Sequence, residues 1–93
     1  MKTAKKIPAF ITKSLSEEEV QYLNENQDFT FNAINPYTGQ NCKLDVYENL
    51  VYNHIIALNS LYQKGFYSVA YNLNLARNWF IKNNIEAYFK LID

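Results

Sequence analysis

The sequence predicts a small α+β domain that is predominantly helical, with three to four helices and one short β-hairpin. Two observations lead to this prediction. Residues 44–93 contain ten aromatic residues and no proline, and their apolar residues recur at helical spacing. Residues at about 29–44 instead alternate in polarity around a turn sequence that contains proline and glycine.

The composition limits the chain to one domain. Ninety-three residues with 48 % hydrophobic and 16 % aromatic content are typical of a globular protein with a single core. Nine basic and nine acidic side chains give a formal net charge of zero. Because a dedicated nucleic-acid binder usually has a basic excess, this balance disfavours nucleic acid as the partner.

The single cysteine and the short apolar runs bear on where the protein is made. Cys42 has no second cysteine with which to form an internal disulfide. The Ile7–Ile11 stretch is too short for the core of a signal peptide, and no segment reaches the ~20 apolar residues of a membrane span. We therefore expect synthesis in a reducing, intracellular compartment and no membrane partner.

Residues 1–13 are predicted to form a basic extended arm beside a single helical domain at 14–93. The arm has four lysines and no acidic residue. Ile7 precedes Pro8 and is therefore biased toward extended geometry, so that Ala9–Thr12 could be a short strand. A segment with such one-sided charge is either a solvated tail or an arm that docks on an acidic partner or on nucleic acid. The arm residues predicted to bind a partner are Lys2, Lys5, Lys6, Ile7 and Phe10.

The first helix has a strong start signal. Ser16 is a suitable N-cap, and Glu19 three residues later completes a capping box. Leu15 and Val20 occupy the two positions of a hydrophobic staple. We expect this helix to end near residues 24–26.

The hairpin prediction rests on alternation and on one turn. Asn35–Gly39 has Pro36 at its second position and a glycine at its end, as a type I turn closed by a left-handed residue requires. Cys42 falls in the return strand, where a small buried side chain is expected. The alternating apolar residues of the first strand are Phe29, Phe31 and Ala33.

The remaining helices are predicted from caps and spacing. The second helix should begin at Asp45, with Glu48 completing its cap, and end at Gly65. A third helix should cover residues 66–82, and Asn83-Asn84 should separate it from a short last helix. The expected core residues are Val20, Leu23, Phe31, Leu50, Val51, Leu58, Leu61, Val69, Leu73, Phe80, Ile85 and Phe89.

The sequence offers little material for catalysis or for metal binding. One histidine and one cysteine cannot supply the four ligands of a structural zinc ion. No third group is placed to orient His54, which is expected at the edge of the core. The two glycines form no phosphate-binding loop. We therefore expect no enzyme activity, no cofactor, no metal and no small-molecule substrate.

A second candidate for partner binding lies around Arg77-Asn78-Trp79. Tryptophan and arginine are enriched at binding hot spots because they combine large area with directed polarity. Tyr71 should lie near the same helix flank. One alternative is that Trp79 packs against the last helix or the hairpin. A third is aromatic stacking on single-stranded nucleic acid, for which only Arg77 and Lys82 supply nearby charge. The predicted binding residues in this region are Tyr71, Arg77, Asn78 and Trp79.

Residues 35–93 also resemble a group of known proteins. The Asn-Pro-Tyr-Thr-Gly turn, the capped helix that follows, Trp79-Phe80, Asn83-Asn84 and Ala87-Tyr88 are similar to small uncharacterised proteins of tailed bacteriophages. The resemblance leaves out the N-terminal arm. It implies a phage origin and brings no activity with it.

These observations predict a non-catalytic protein-interaction component of a bacteriophage. The expected role is a minor or auxiliary virion protein of the capsid or tail, with the N-terminal arm as a tether. The alternative is a small phage-encoded inhibitor of a host or defence protein that acts by surface occlusion. The expected partner is another protein or further copies of the chain. The expected location is the host cytoplasm at synthesis, with the virion as a second location.

Overall fold

A computed structural model describes residues 7–92 and shows a predominantly helical α+β fold, which confirms the predicted fold class. One element is a 3₁₀ helix at Tyr67–Val69. In chain order the other elements are α1 (Ala9–Thr12), α2 (Glu17–Glu25), β1 (Thr30–Ile34), β2 (Asn41–Asp45), α3 (Val46–Gln63), α4 (Ala70–Asn83) and α5 (Ile85–Leu91).

The two strands form the predicted antiparallel hairpin. Phe31 pairs with Leu44, and Ala33 pairs with Cys42. Leu44 and Ala33 are buried, so the inner face of the hairpin contributes to the core. Gly39 closes the turn with a φ of 75°, the left-handed geometry that the turn sequence predicted.

Asn35 fixes this turn to the other end of the chain. Its Oδ1 accepts a hydrogen bond from the backbone N of Tyr37 at 2.8 Å. Its Nδ2 donates to the carbonyl oxygen of Lys90, in α5, at 3.0 Å. A buried amide with both ends bonded holds the hairpin tip against α5, since leaving either end unpaired would be unfavourable.

Both predicted capping boxes are present. Ser16 Oγ accepts from the backbone N of Glu19 at 3.2 Å, and the Glu19 carboxylate accepts from the backbone N of Ser16. Asp45 and Glu48 form the same pair of bonds at the start of α3, at 2.8 and 2.9 Å. The buried Glu48 also accepts from Asn84 Nδ2 at 3.1 Å, which joins the start of α3 to the junction of α4 and α5.

The core consists of a large and a small cluster of buried side chains. The small cluster contains Leu23, Val46 and Tyr47. Trp79, Leu50 and Ile7 pack against both clusters and so connect them. The large cluster contains Ile11, Ala33, Leu44, Val51, Tyr52, Ile55, Leu73, Ala76, Phe80, Ala87 and Leu91.

Three residues predicted to be in the core are exposed. Leu61 lies in the last turn of α3 and is more than a third exposed. Ile85 and Phe89 lie one turn apart on α5 and are about half exposed, whereas Ala87 and Leu91 are buried. For Ile85 and Phe89 the prediction was wrong because α5 packs through the face that contains Ala87 and Leu91. Side chains two residues away lie on a different face of the helix.

The prediction of an extended arm was wrong for the described part of the N-terminal segment. Ala9–Thr12 forms a single helical turn that begins after Pro8. Ile11 is fully buried in the large cluster, and Phe10 packs against it. Burial of these side chains favours the compact turn over a strand. Residues 1–6 lie outside the described residues.

Candidate protein-interaction site

Four exposed aromatic side chains surround the junction between α3 and α4, and we call them the aromatic corner. Tyr62, Phe66, Tyr67 and Tyr71 have exposed fractions of 40, 58, 66 and 73 %. The rings of Tyr62 and Tyr67 meet edge to face with their centroids 5.0 Å apart. Exposed aromatic surface of this kind is a common feature of protein-binding sites.

Gly65 produces the turn that positions the aromatic corner. Its φ is 100°, and its backbone N donates to the carbonyl oxygen of Tyr62 at 3.1 Å. The backbone N of Phe66 donates to the carbonyl oxygen of Leu61 at 3.0 Å. These two bonds form a Schellman motif, which confirms the predicted end of the second helix. The predicted third helix begins later than expected, because Tyr67–Val69 is a 3₁₀ helix and α4 begins at Ala70.

The chain segment that contains the aromatic corner has charge of one sign. The sequence has no aspartate or glutamate between Glu48 and Glu86. The cations in that interval are Lys64, Arg77 and Lys82. Most of α3 and all of α4 therefore lack carboxylates, although the whole chain has a net charge of zero.

A pocket of about 210 Å³ lies between α3 and α4, beside the aromatic corner. Arg77 lines this pocket, and its Nε is buried and has no hydrogen-bond partner among the described residues. Tyr62 lines the pocket and also belongs to the aromatic corner, so the two features adjoin. We call this the Arg77 pocket, and its lining residues are Asn59, Tyr62, Ala70, Leu73, Asn74 and Arg77.

The residues predicted around Arg77 divide between two environments. Tyr71 and Asn78 are exposed. Trp79 is partly buried, packs against both core clusters and meets the Phe80 ring at 6.3 Å. Trp79 therefore packs against the core, and its packing partners are the two clusters and Phe80. The structure therefore brings Arg77 together with Tyr62 rather than with Trp79.

The predicted binding residues of the N-terminal segment also separate. Ile7 and Phe10 are partly buried and pack against the core. The Phe10 ring meets the His54 ring edge-on at 6.3 Å. Lys2, Lys5 and Lys6 lie outside the described residues. Ile7 and Phe10 therefore stabilise the fold, and their apolar surface is not displayed for a partner.

His54 and Cys42 have local structural contacts. His54 Nδ1 lies 3.0 Å from the carbonyl oxygen of Leu50 and is placed to donate to it. Cys42 Sγ lies 3.7 Å from the carbonyl oxygen of Lys43 and packs against the large cluster. Across residues 7–92, no group of three or more His, Cys, Asp or Glu side chains is arranged to hold a metal ion.

A wider groove of about 510 Å³ lies between α2 and α3. Its lining residues include Leu23, Phe31 and Leu50, together with Glu18 and Glu19. Glu19 is engaged in the cap of α2. In the part of the chain that the structure describes, Arg77 alone has a buried side-chain nitrogen or oxygen without a partner, and it does not line this groove. The Arg77 pocket is therefore the stronger candidate for specific recognition.

Two tyrosines near the core have altered acidity. Burial raises the pKa of Tyr47, and the Asp45 carboxylate raises it further. Tyr47 donates from its hydroxyl to Asn24 Oδ1 at 3.0 Å, a bond that needs the neutral phenol. Burial also raises the pKa of Tyr52. Both groups are held in their protonated form and act as structural hydrogen-bonding or packing groups.

Comparison of the chain with protein-family models, with curated proteins and with solved structures gives no match. Among the described residues, no helix is both long and apolar enough to cross a membrane.

Proposed function

We propose that the protein is a non-catalytic protein-interaction component of a bacteriophage and that it binds its partner through the aromatic corner. One observation carries the proposal: four exposed aromatic side chains lie at the α3–α4 junction, and one of them, Tyr62, also lines a pocket together with Arg77, whose Nε has no hydrogen-bond partner among the described residues. Aromatic and arginine side chains supply much of the energy of protein interfaces. The phage assignment is supported by the resemblance of residues 35–93.

The proposed role is that of a minor or auxiliary virion protein of the capsid or tail. The partner is another protein, or a further copy of the chain, that presents acidic and apolar side chains. Charge complementarity supports this choice, because the chain segment between Glu48 and Glu86, which contains the aromatic corner, has only basic charge. The protein would be made in the host cytoplasm and then incorporated into particles.

The test compares two tyrosine variants in a phage that encodes the chain. The double variant Tyr67→Ala, Tyr71→Ala removes two exposed rings from the aromatic corner. Tyr37→Ala is the matched control, because Tyr37 is 93 % exposed on the hairpin turn. Mass spectrometry of purified particles should find the wild-type chain and the Tyr37 variant at equal levels. The double variant should be depleted roughly tenfold or more, as expected when an interface loses its anchoring side chains.

Each opposite result has a definite meaning. Equal incorporation of the double variant would contradict binding through the aromatic corner. Absence of the wild-type chain from particles would contradict the virion role. In that case an early expression time, together with binding to a host or defence protein, would identify the inhibitor role.

A further inference from the structure

The Arg77 pocket has the chemistry of an anion site. A buried N–H group without an acceptor is unfavourable, and the penalty is larger for a charged group. Arg77 Nε is in this state, although the guanidinium can form strong paired bonds with a planar anion. Because Nε is buried, a ligand in the pocket would remove this penalty if the Arg77 side chain shifted to bring Nε to the ligand's oxygen acceptors. Such a ligand would find no carboxylate competing from neighbouring chain positions, because residues 49–85 contain none.

We propose that the Arg77 pocket binds a carboxylate group of a protein partner, from an Asp or Glu side chain or a chain terminus, while the aromatic corner holds an adjacent apolar side chain. This inference rests on the proposed function and names the chemistry of its partner. The carboxylate accepts hydrogen bonds from Arg77, and Asn59 and Asn74 line the same pocket.

The apolar lining favours a peptide carboxylate over a nucleic-acid phosphate. Ala70 and Leu73 line the pocket together with the ring of Tyr62, and these surfaces suit the methylene groups that carry a side-chain carboxylate. A polynucleotide instead binds through several phosphates at once, so a binding surface needs many cations. Between Glu48 and Glu86 the chain offers only Lys64, Arg77 and Lys82.

One property of the sequence makes the test direct. Arg77 is the only arginine in the chain, so the side-chain Nε–Hε group gives a single assignable NMR cross-peak. The probe is the dipeptide acetyl-Phe-Asp-amide, and its neutral, nearly isosteric control is acetyl-Phe-Asn-amide. Acetyl-phenylalanine tests a terminal carboxylate, and inorganic phosphate tests a generic anion.

The wild-type protein should give a saturable shift of the Arg77 cross-peak with the Asp dipeptide. Its Kd should be roughly tenfold or more below that of the Asn dipeptide, the difference expected from a charge-assisted hydrogen bond. Acetyl-phenylalanine should also bind if a chain terminus is accepted, and its failure would restrict the site to side-chain carboxylates. Equal responses to the Asp and Asn dipeptides, or no response to either carboxylate, would overturn the proposal. A response to phosphate at lower concentration than to the carboxylates would also overturn it.

Two variants that each remove one positive charge distinguish binding in the pocket from attraction by the net charge of the protein. Arg77→Gln removes the guanidinium, and Lys82→Gln removes the same charge on the same helix outside the pocket lining. Binding of the Asp dipeptide, followed through the backbone amides of Asn74 and Tyr62, should be lost in the first variant and retained in the second. Equal weakening in both variants would mean that net charge alone attracts the probe, which contradicts a defined site.

The proposed function and this inference can fail separately. If the aromatic variants lose incorporation into particles but no carboxylate probe binds, the interaction role stands and the pocket assignment fails. If the Asp dipeptide binds but the aromatic variants are incorporated normally, the pocket assignment stands and the role of the aromatic corner in particles fails.

Discussion

At the scale of single residues, Ile11 and the buried polar groups hold the fold together. Ile11 connects the N-terminal segment to the large cluster, and Asn35 connects the hairpin to α5. Glu48 connects the start of α3 to Asn84. Each of these side chains joins segments that are distant in sequence, so single substitutions here should affect the whole domain.

Substitution of Ile11 tests whether the N-terminal segment belongs to the core. Ile11→Ala should lower the free energy of unfolding by roughly 2–5 kcal/mol, the usual loss for truncating a fully buried side chain. Ile34→Ala is the control, because Ile34 is 56 % exposed, and it should change stability by only about 0.5 kcal/mol. Urea unfolding curves give both values. Equal effects would mean that this segment is peripheral to the fold.

The tyrosines with raised pKa values predict a loss of stability at alkaline pH. Tyr47 and Tyr52 ionise in the unfolded chain near pH ~10, and burial raises the pKa of each in the folded state. Their contribution is therefore complete below pH ~10 and is lost as the pH rises through the folded-state pKa. Thermal unfolding followed from pH ~8 to ~11 should show a falling Tm above pH ~10. The Tm of the Tyr47→Phe variant should fall less steeply with pH than that of the wild-type protein. Equal slopes in the two proteins would contradict the contribution of Tyr47.

At the scale of elements, the turn between α3 and α4 depends on one glycine. Gly65 has a φ of 100°, and a Cβ there would meet no atom within 4 Å, so any penalty comes from the backbone alone. Gly65→Ala should therefore lower stability by roughly 1–2 kcal/mol. Gly65→Asn should have a smaller effect, because asparagine tolerates left-handed geometry better. Denaturation midpoints compare the stability of the two variants, and an equal loss of stability for Ala and Asn would contradict this explanation.

The elements that sequence reasoning placed correctly have signals within a few neighbouring residues. The caps at Ser16 and Asp45 and the turn glycines belong to this group. The helical turn at Ala9–Thr12 was missed because its stability comes from burial of Ile11 against distant helices. The outward orientation of Phe89 was missed for the same reason, since periodicity alone does not select the face of a short helix that packs.

The candidate site was only partly predictable for a related reason. Arg77 and Tyr71 were identified from residue type and spacing. Their neighbours were not, because Tyr62 reaches the Arg77 pocket from another helix. The aromatic sequence Phe66-Tyr67 beside the turn glycine was a local signal that could have located the aromatic corner. The burial of Arg77 Nε has no counterpart in the sequence pattern.

At the scale of the whole molecule, charge is segregated although the net charge is zero. The first turn of α2 contains three glutamates, whereas the chain between Glu48 and Glu86 contains only basic charge. Two surfaces of opposite sign can bind different partners, or they can orient one partner along the molecule. The proposed site uses the basic surface and leaves the acidic surface of α2 available to solvent.

The contact of Trp79 with both core clusters gives the molecule an internal optical reporter. Trp79 is the only tryptophan, so its fluorescence comes from one position that senses the large and the small cluster together. If the domain unfolds cooperatively, the emission change and the loss of far-ultraviolet circular dichroism should have the same denaturation midpoint. An emission change that preceded the loss of helix would show that the two clusters separate before the helices melt. The indole would then report the order in which the fold comes apart, without any added label.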